Sequence, residues 1–257
     1  GCGNGPNSDT VQCSAINCNP VNYTASANAS ICSGDSTTLT ISGFNLASFS
    51  VSWNGATPVA DTVYTVSPLA STTYTVILID SSQLICPSKK KNISVTVNQT
   101  PLADAGKDSS VCLGSTLKLN AKGGTTYSWT PSGSLTNPNT ATPTATPSAT
   151  TVYTVTVSNG SCSSQDSLKI TSNPLPTTPV ITASGPTVFC QGDSVLLDAG
   201  AGYSKYTWSP DGSSKQSIQI QKSGSYKVSV LNAFGCTVTS TAQTVTVNQN
   251  PSPTISG

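Results

Sequence analysis

A block of about eighty residues occurs three times in this chain, and each copy carries the same markers in the same order. Each block opens with a leading cysteine in a Cys-x-Gly motif, and these cysteines lie 80 and 78 residues apart: Cys32, Cys112 and Cys190. A tryptophan, a Tyr-x-Val segment and a closing cysteine follow: Trp53, Tyr74 and Cys86; Trp129, Tyr153 and Cys162; Trp208, Tyr226 and Cys236. Because such self-similarity is typical of tandem modules, the chain is constrained to fold as repeats.

Proline-bearing linkers separate the blocks, since each Val/Thr-rich run ends in an Asn that is followed within three residues by Pro. Proline stiffens a linker and cannot pair inside a sheet. These linkers predict five parts: the C-terminal remnant of a preceding repeat (1–19), a first repeat (20–98), a second repeat (99–173), a third repeat (174–249) and the start of a following repeat (250–257). We therefore expect the array to continue in both directions.

Short segments in each repeat alternate apolar and polar residues, as in Ser194–Ala199 and Tyr226–Val230. This period of two predicts half-buried antiparallel strands, and Gly, Pro and Asn turn signals separate them. Ser and Thr form about a third of the chain, and abundant Thr, Val and Tyr favour strands. We predict an all-β fold of tandem immunoglobulin-like β-sandwich modules in an extended array. Each tryptophan is predicted to lie in a core rather than to form an exposed glycan-stacking platform.

Four residue types that carry most enzyme chemistry are missing, since the chain has ten Asp and eleven Lys but no Glu, Arg, His or Met. Without His there is no imidazole base or metal ligand, and without Arg there is no bidentate phosphate clamp. We predict that the chain is not an enzyme and uses no metal or cofactor, and we assign Asp104 and Asp108 to loop caps rather than to calcium. A net charge of +1 is too small to recruit nucleic acid, and no apolar run is long enough for membrane insertion.

Nine cysteines in a chain without His indicate disulfides rather than zinc, and hence an oxidising compartment, either the periplasm or the outside of the cell. We predict that leading and closing cysteines pair within each repeat, as Cys32–Cys86, Cys112–Cys162 and Cys190–Cys236. The alternative is a bond across the joint to the neighbouring repeat, because the two cysteines of one sandwich can lie at opposite ends. Cys13 and Cys18 are predicted to pair locally, and Cys2 is expected to have an upstream partner.

The pattern Cys-x-Gly-Asp/Ser-x-x-x-Leu, Trp-x-Pro, Thr-x-Tyr-x-Val-x-Val and a closing Cys resembles the Ig-like and PKD-like repeats of Bacteroidota surface proteins. The second repeat resembles the PKD-like type through Ala103–Asp108 and Tyr127–Pro131, and the third resembles the Ig-like type through Tyr206–Pro210. The first, also Ig-like, departs most, since Asn54 follows Trp53 without the Pro. The resemblance covers residues 19–250. It implies a secreted cell-surface protein of the adhesin or gliding-motility type that is exported by the type IX secretion system.

Five segments of Asp-Ser/Thr followed by Val, Leu or Thr resemble the O-glycosylation motif of Bacteroidota. The resemblance makes their hydroxyl residues candidate acceptors: Thr10, Ser36, Thr62, Ser167 and Ser194. The alternative is that each Asp opens a strand from a turn, which needs no sugar.

The expected function is structural: stalk or spacer repeats of a large secreted surface adhesin or gliding-motility protein, displaying a tip or binding region. The expected partners are neighbouring repeats of the same chain, with no nucleic acid. Two alternatives remain. The repeats could bind surface glycans or other cell-surface proteins, or they could be spacer modules of a secreted enzyme.

Overall fold

The computed structural model describes residues 22–27, 30–44, 49–57, 59–80 and 88–251, and every regular element in these ranges is a β-strand. The predicted all-β fold is therefore confirmed. No helix in this part of the chain is long and apolar enough to cross a membrane.

The first repeat forms two sheets, with strand orders β1-β3-β5 and β2-β7-β6-β4. Its strands are β1 (Thr24–Ser26), β2 (Ser30–Cys32), β3 (Thr37–Ser42), β4 (Phe49–Trp53), β5 (Val63–Val66), β6 (Thr72–Asp80) and β7 (Lys89–Asn98). Strand β2 runs parallel to β7, whereas the other pairs are antiparallel.

The second repeat also has two sheets, with orders β10-β13-β14-β8 and β11-β12-β9. Its strands are β8 (Ser109–Cys112), β9 (Leu117–Lys118), β10 (Thr126–Thr130), β11 (Leu135–Thr136), β12 (Thr144–Ala145), β13 (Thr151–Ser158) and β14 (Ser163–Asn173). Strand β8 is parallel to β14. An isolated bridge between Asp104 and Lys122 stands where the first repeat pairs β1 with β3.

The third repeat repeats the arrangement of the first, with orders β15-β17-β19 and β16-β22-β20-β18, and with β21 paired to β20. Its strands are β15 (Thr182–Ala183), β16 (Val188–Cys190), β17 (Val195–Asp198), β18 (Lys205–Ser209), β19 (Ser217–Ile220), β20 (Gly224–Leu231), β21 (Thr237–Thr239) and β22 (Gln243–Asn248). Strand β16 is again parallel to the last strand, β22.

The pairing scheme is immunoglobulin-like in each repeat. The N-terminal segment of the first repeat contributes to both sheets. Strand β1 pairs with β3 in one sheet, and β2 pairs with the last strand, β7, in the other. Strands β15 and β16 divide in the same way. An immunoglobulin-like sandwich packs a sheet of its first, second, fourth and fifth strands against a sheet of its third, sixth and seventh strands. In the first repeat, β1, β3 and β5 belong to the one sheet, and β4, β6 and β7 belong to the other together with β2. This is the sandwich that the sequence predicts.

Each sandwich closes over a core made by alternate residues of its strands. On β20, Tyr226, Val228 and Val230 are buried while Ser225 and Lys227 are not, which is the period of two expected for a half-buried strand. The tryptophans belong to these cores, with relative exposures of 4% for Trp53, 1% for Trp129 and 1% for Trp208. The predicted core placement of the tryptophans is confirmed.

The three tryptophans differ in their hydrogen bonding. The indole N–H of Trp129 donates to the Thr140 carbonyl at 3.1 Å, and that of Trp208 donates to the Lys215 carbonyl at 2.9 Å. The indole nitrogen of Trp53 is buried and has no partner among the described residues. Its ring instead stacks on Tyr64, with centroids 5.5 Å apart and planes inclined by 15°.

This difference predicts unequal costs for the same substitution. Trp129→Phe and Trp208→Phe each lose an N–H···O bond, whereas Trp53→Phe removes a buried donor that already lacks an acceptor. We expect the free energy of unfolding to fall by about 1–2 kcal/mol less for Trp53→Phe than for the other two. Urea unfolding followed by circular dichroism measures this, and equal losses at all three positions would contradict it.

By their internal contacts the described residues form two compact units. One unit comprises the described residues up to Leu102 together with Val157–Ser164, which is the tip of the β13–β14 hairpin. The other comprises Ala103–Thr156 and the described residues from Gln165 onward.

Candidate functional site: disulfide-bonded joints

The three leading cysteines occupy the same place in the fold. Each is the last residue of the short strand that runs parallel to the last strand of its repeat, and each lies opposite the Asn that ends that last strand. The pairs are Cys32 with Asn98, Cys112 with Asn173, and Cys190 with Asn248. The residue after each leading cysteine donates its backbone N–H to the carbonyl of that Asn, at 2.8–2.9 Å. The leading cysteines are therefore held at one fixed end of each sandwich.

The glycine of the Cys-x-Gly motif has a conformational reason. Gly34, Gly114 and Gly192 have φ values of 90°, 82° and 108°, a region that L side chains rarely adopt. In each repeat the residue after this glycine donates its N–H to the carbonyl of the leading cysteine, at 2.9–3.2 Å. The four residues thus form a tight turn with positive φ at its third position, and this turn directs the chain from the cysteine into the next strand.

Substitution of this glycine tests the turn. Gly114→Ala places a Cβ in open space, so its cost is the conformational strain of positive φ, about 1–2 kcal/mol. Gly133→Ala is the matched control, because Gly133 also faces open space but lies outside the left-handed region. We expect only the first variant to lower the urea midpoint, and equal midpoints for both variants would contradict the role of the turn.

The closing cysteines Cys162 and Cys236 lie in turns that begin with an Asn. Asn159 and Asn232 each donate a backbone N–H to the carbonyl of the closing cysteine, at 3.2 and 3.0 Å. Their side-chain amides donate to the carbonyl of the residue after a strand-ending Asn: Asn159 to Gln99 at 2.7 Å and Asn232 to Pro174 at 2.8 Å. Each closing turn is therefore hydrogen-bonded to the start of the linker that precedes its own repeat.

Two disulfides join these elements. Cys32 is bonded to Cys162 with a Cα–Cα distance of 5.7 Å, and Cys112 is bonded to Cys236 with a Cα–Cα distance of 5.6 Å. The first bridge lies in one compact unit and the second lies in the other. Each links the leading cysteine of one repeat to the closing cysteine of the next, and we call this assembly of bridge, closing turn and linker a joint.

The predicted pairs Cys32–Cys86, Cys112–Cys162 and Cys190–Cys236 are therefore wrong, and the alternative of a bond across the joint is correct. The reason is the length of the last strand. Cys112 lies opposite the final residue of β14, whereas Cys162 directly precedes its first residue. The eleven residues of β14 span roughly 35 Å at about 3.3 Å per residue. A disulfide needs Cα atoms within about 7 Å.

Cys190 has a free, exposed thiol, because Cys236, its predicted partner, is bonded to Cys112. Disulfide bonding of Cys32, Cys112, Cys162 and Cys236 agrees with the sequence analysis. The remaining cysteines for which bonds are predicted, Cys13, Cys18 and Cys86, lie outside the described residues, as does Cys2.

Four of the five candidate O-glycosylation residues are described, and Thr10 lies outside the described ranges. Ser36, Ser167 and Ser194 are exposed, and Thr62 is half-buried. The Ser167 hydroxyl lies 2.9 Å from that of Thr154, and Ser194 accepts a bond of 2.7 Å from the Gln219 amide. Asp61, which precedes Thr62, accepts the N–H of Val63 at 3.0 Å, as a turn aspartate does.

The carboxylates of the second repeat are bound to backbone N–H groups. Asp104 accepts from Gly106 at 2.9 Å, Asp108 accepts from Lys169 at 2.8 Å, and Asp166 accepts from Ala105 at 2.7 Å. These contacts agree with the assignment of Asp104 and Asp108 to loop caps. Within the described ranges, no three Cys, Asp, Glu or His side chains come together as metal ligands would.

Asp166 makes a pH-dependent contribution to stability. Hydrogen bonds from the backbone N–H groups of Ala105 and Ser167 lower the pKa of its carboxyl below the ordinary value of 3.8. Because the folded pKa is lowered, the contribution is fully present above pH 3.8 and is lost as pH falls through the folded pKa. We expect wild type to exceed Asp166→Asn in unfolding free energy near neutral pH, and the difference to shrink as the pH falls below 3.8. A difference that stays constant as the pH is lowered through this range would contradict the prediction.

Solved structures of tandem immunoglobulin domains are similar to this chain. A three-domain structure of titin, an E-to-A mutated variant, is 12% identical with a TM-score of 0.43, and the match covers 89% of this chain and 99% of that chain. Extracellular domains 3–5 of Drosophila OTK are 12% identical with a TM-score of 0.35, covering 86% and 94%. Immunoglobulin domains 1–5 of Sidekick-1 are 15% identical with a TM-score of 0.32, covering 88% and 60%.

No protein-family profile and no curated protein matches the sequence. The strand pairing of the described residues defines a tandem array of immunoglobulin-like modules, and the function is argued from the joints and the surface.

Proposed function

We propose that this chain is a spacer: consecutive immunoglobulin-like repeats of a large secreted surface protein, in which disulfide-bonded joints link neighbouring repeats covalently. The observation that carries this proposal is the recurrence of the joint. Cys32–Cys162 and Cys112–Cys236 use equivalent cysteines, and Asn159 and Asn232 make the same contact beside them. A device that recurs between repeats serves the relation between repeats rather than one site.

The aromatic side chains support a spacer over a glycan-binding module. All fifteen aromatic residues lie in the described ranges. Only Tyr64 and Phe234 are exposed, at 40% and 60%, and Tyr64 is stacked on Trp53. Sugar recognition commonly uses exposed rings as apolar platforms, and these two residues belong to different repeats.

The chemistry of the chain also suits the outside of a cell. Two disulfides are expected in an oxidising compartment, and the exposed Ser and Thr residues give a nearly neutral polar surface. Together with the Cys-x-Gly, Trp-x-Pro and Tyr-x-Val markers, this favours a Bacteroidota cell-surface adhesin or gliding-motility protein, exported by the type IX system. Exposed Ser36, Ser167 and Ser194 remain candidate acceptors for O-linked glycans.

The repeat boundaries at 20–98, 99–173 and 174–249 form part of this proposal. They are supported by the strand-ending residues Asn98, Asn173 and Asn248, each of which completes a sandwich opposite a leading cysteine. The linker carbonyls of Gln99 and Pro174 that follow are the ones bound by the closing turns.

A replacement experiment in the longer protein that we propose carries this chain tests the function. A spacer depends on length and stiffness rather than on surface sequence. We expect deletion of residues 99–249 to reduce surface adhesion or gliding, and replacement by two unrelated immunoglobulin-like domains of equal length to restore it. A replacement as defective as the deletion would overturn the proposal.

Point variants of the exposed rings distinguish a spacer from a glycan-binding module. Tyr64→Ala and Phe234→Ala should leave adhesion or gliding unchanged if the repeats are spacers. A glycan array probed with the purified chain should show no retention. Retention that either variant abolishes would identify a binding module instead.

A further inference from the structure

Cys190 repeats the geometry of two cysteines that are already bonded across joints. Its strand β16 pairs with β22 in the register that β2 and β8 use with β7 and β14. Its turn contains Gly192 at φ 108°, and the Asp193 N–H returns to the Cys190 carbonyl at 3.2 Å. Two of three equivalent cysteines bind a closing cysteine, and the third is exposed with a free thiol.

The second part of a joint is also present and unused beside Cys190. In both bonded joints the backbone carbonyl of the residue after the strand-ending Asn accepts a hydrogen bond from the side-chain amide of the closing-turn Asn. The equivalent residue is Gln249, which is exposed, and no described residue donates to its carbonyl. The thiol and the carbonyl are therefore available together on the same end of the third repeat.

We propose that Cys190 and the Gln249 carbonyl form an open half-joint, which takes the closing turn of a further immunoglobulin-like repeat as its partner. The proposal rests on the proposed spacer function. The partner is defined by its chemistry: a hairpin turn with an Asn three or four residues before a cysteine, as in Asn159–Cys162 and Asn232–Cys236. The Cys86 segment of this chain lacks an Asn at those positions, so a second copy of the chain is not the expected partner.

The bond forms by oxidation of two thiols. Cys190 and the partner cysteine lose two protons and two electrons as one S–S bond forms, and a disulfide oxidant of the oxidising compartment accepts the electrons and becomes a dithiol. The reaction passes through a mixed disulfide between one of the two cysteines and the oxidant. A bound closing turn raises the local concentration of its thiol beside Cys190, and this favours the pair over other thiols.

An extended chain tests the proposal with the protein's own parts. Residues 175–257 are appended after Gln249, so that Gln249 takes the place that Pro174 has in the native chain and its carbonyl is kept. The added Cys236 then stands to Cys190 as the native Cys236 stands to Cys112. The chain is oxidised with a glutathione buffer, alkylated without reduction, and digested after lysine.

The lysine positions make the result unambiguous. Cys190 of the native repeat falls in peptide 170–205, and the added Cys236 falls in the C-terminal peptide 228–257. We expect these two peptides to be cross-linked in most of the extended chain, whereas peptide 170–205 of the 257-residue chain is alkylated. Cys236→Ser in the added repeat should return peptide 170–205 to the alkylated form, and Asn232→Ala there should slow bridge formation several-fold.

The digest also reports on the proposed function separately. Cys112 falls in peptide 108–118, and its bond to the native Cys236 reports the existing joint. If that bond forms while Cys190 stays alkylatable in the extended chain, the half-joint is overturned and the spacer stands. If peptide 108–118 is instead bonded to peptide 123–169, which holds Cys162, the joints themselves fail and both proposals fall.

Discussion

Under force, the oxidised chain should reach about a third of the length that it reaches after reduction. The two bridged segments, 32–162 and 112–236, overlap between Cys112 and Cys162. The shortest covalent path from residue 22 to residue 251 therefore runs to Cys32, crosses to Cys162, returns to Cys112, crosses to Cys236 and continues to the end. It contains about 75 residues, against about 229 without bridges.

At about 3.6 Å per fully extended residue, these paths correspond to about 270 Å and about 820 Å. Single-molecule stretching between the two ends, with and without a reductant, measures the difference. The expected result is that the oxidised chain, with all three sandwiches unfolded, reaches no more than the shorter length. An oxidised chain that lengthens to about 820 Å would show that the bridges are not formed.

Serine variants supply the controls for this measurement. The pair Cys112→Ser and Cys236→Ser keeps the Cys32–Cys162 bridge and gives a path of about 100 residues, so the unfolded length should rise to about 360 Å. Cys190→Ser removes the free thiol and should leave the length unchanged. A Cys190→Ser chain that differs from wild type would implicate that cysteine in a bridge within this chain.

Loss of one bridge should also lower the free energy of unfolding by about 3–5 kcal/mol. A bridge with a sequence separation of 124 restricts the unfolded chain, and for a loop of this size the chain-entropy model gives a contribution of about 5 kcal/mol. Cys236 is fully buried at 0% exposure, so the serine hydroxyl that replaces its sulfur adds a desolvation cost. The measurement is urea unfolding of the chain that carries Cys112→Ser and Cys236→Ser.

Cys190→Ser is the matched control for stability, because it changes an exposed thiol that has no bond to lose. Its unfolding free energy should stay within about 0.5 kcal/mol of wild type. Similar stabilities for the paired-serine variant and this control would contradict a stabilising role of the Cys112–Cys236 bridge.

The elements within each repeat could be predicted from the sequence because their causes are local. Alternation on β20 predicts that Tyr226, Val228 and Val230 share one face, and these three side chains are buried in the core. The Cys-x-Gly motif likewise repeated for a local reason, since the turn needs positive φ at the glycine. These features depend on a few neighbouring residues and recur with them.

The disulfide pairing could not be predicted in the same way, because it depends on where the two ends of the last strand lie. Every repeat has one leading and one closing cysteine, and this recurrence favours pairs within repeats. The deciding fact is that the leading cysteine pairs with the end of β14 and the closing cysteine precedes its start. One sequence signal was available and was missed: an Asn stands three or four residues before Cys162 and Cys236 but not before Cys86.

The sharing of each bridge between two repeats has a consequence for how such a gene can change. An unequal crossover that adds or removes one whole repeat adds or removes one leading and one closing cysteine together. Every interior cysteine then still finds a partner of the opposite kind, and the number of unmatched thiols does not grow with the number of repeats. Arrays of this design can therefore lengthen or shorten by recombination without a compensating mutation.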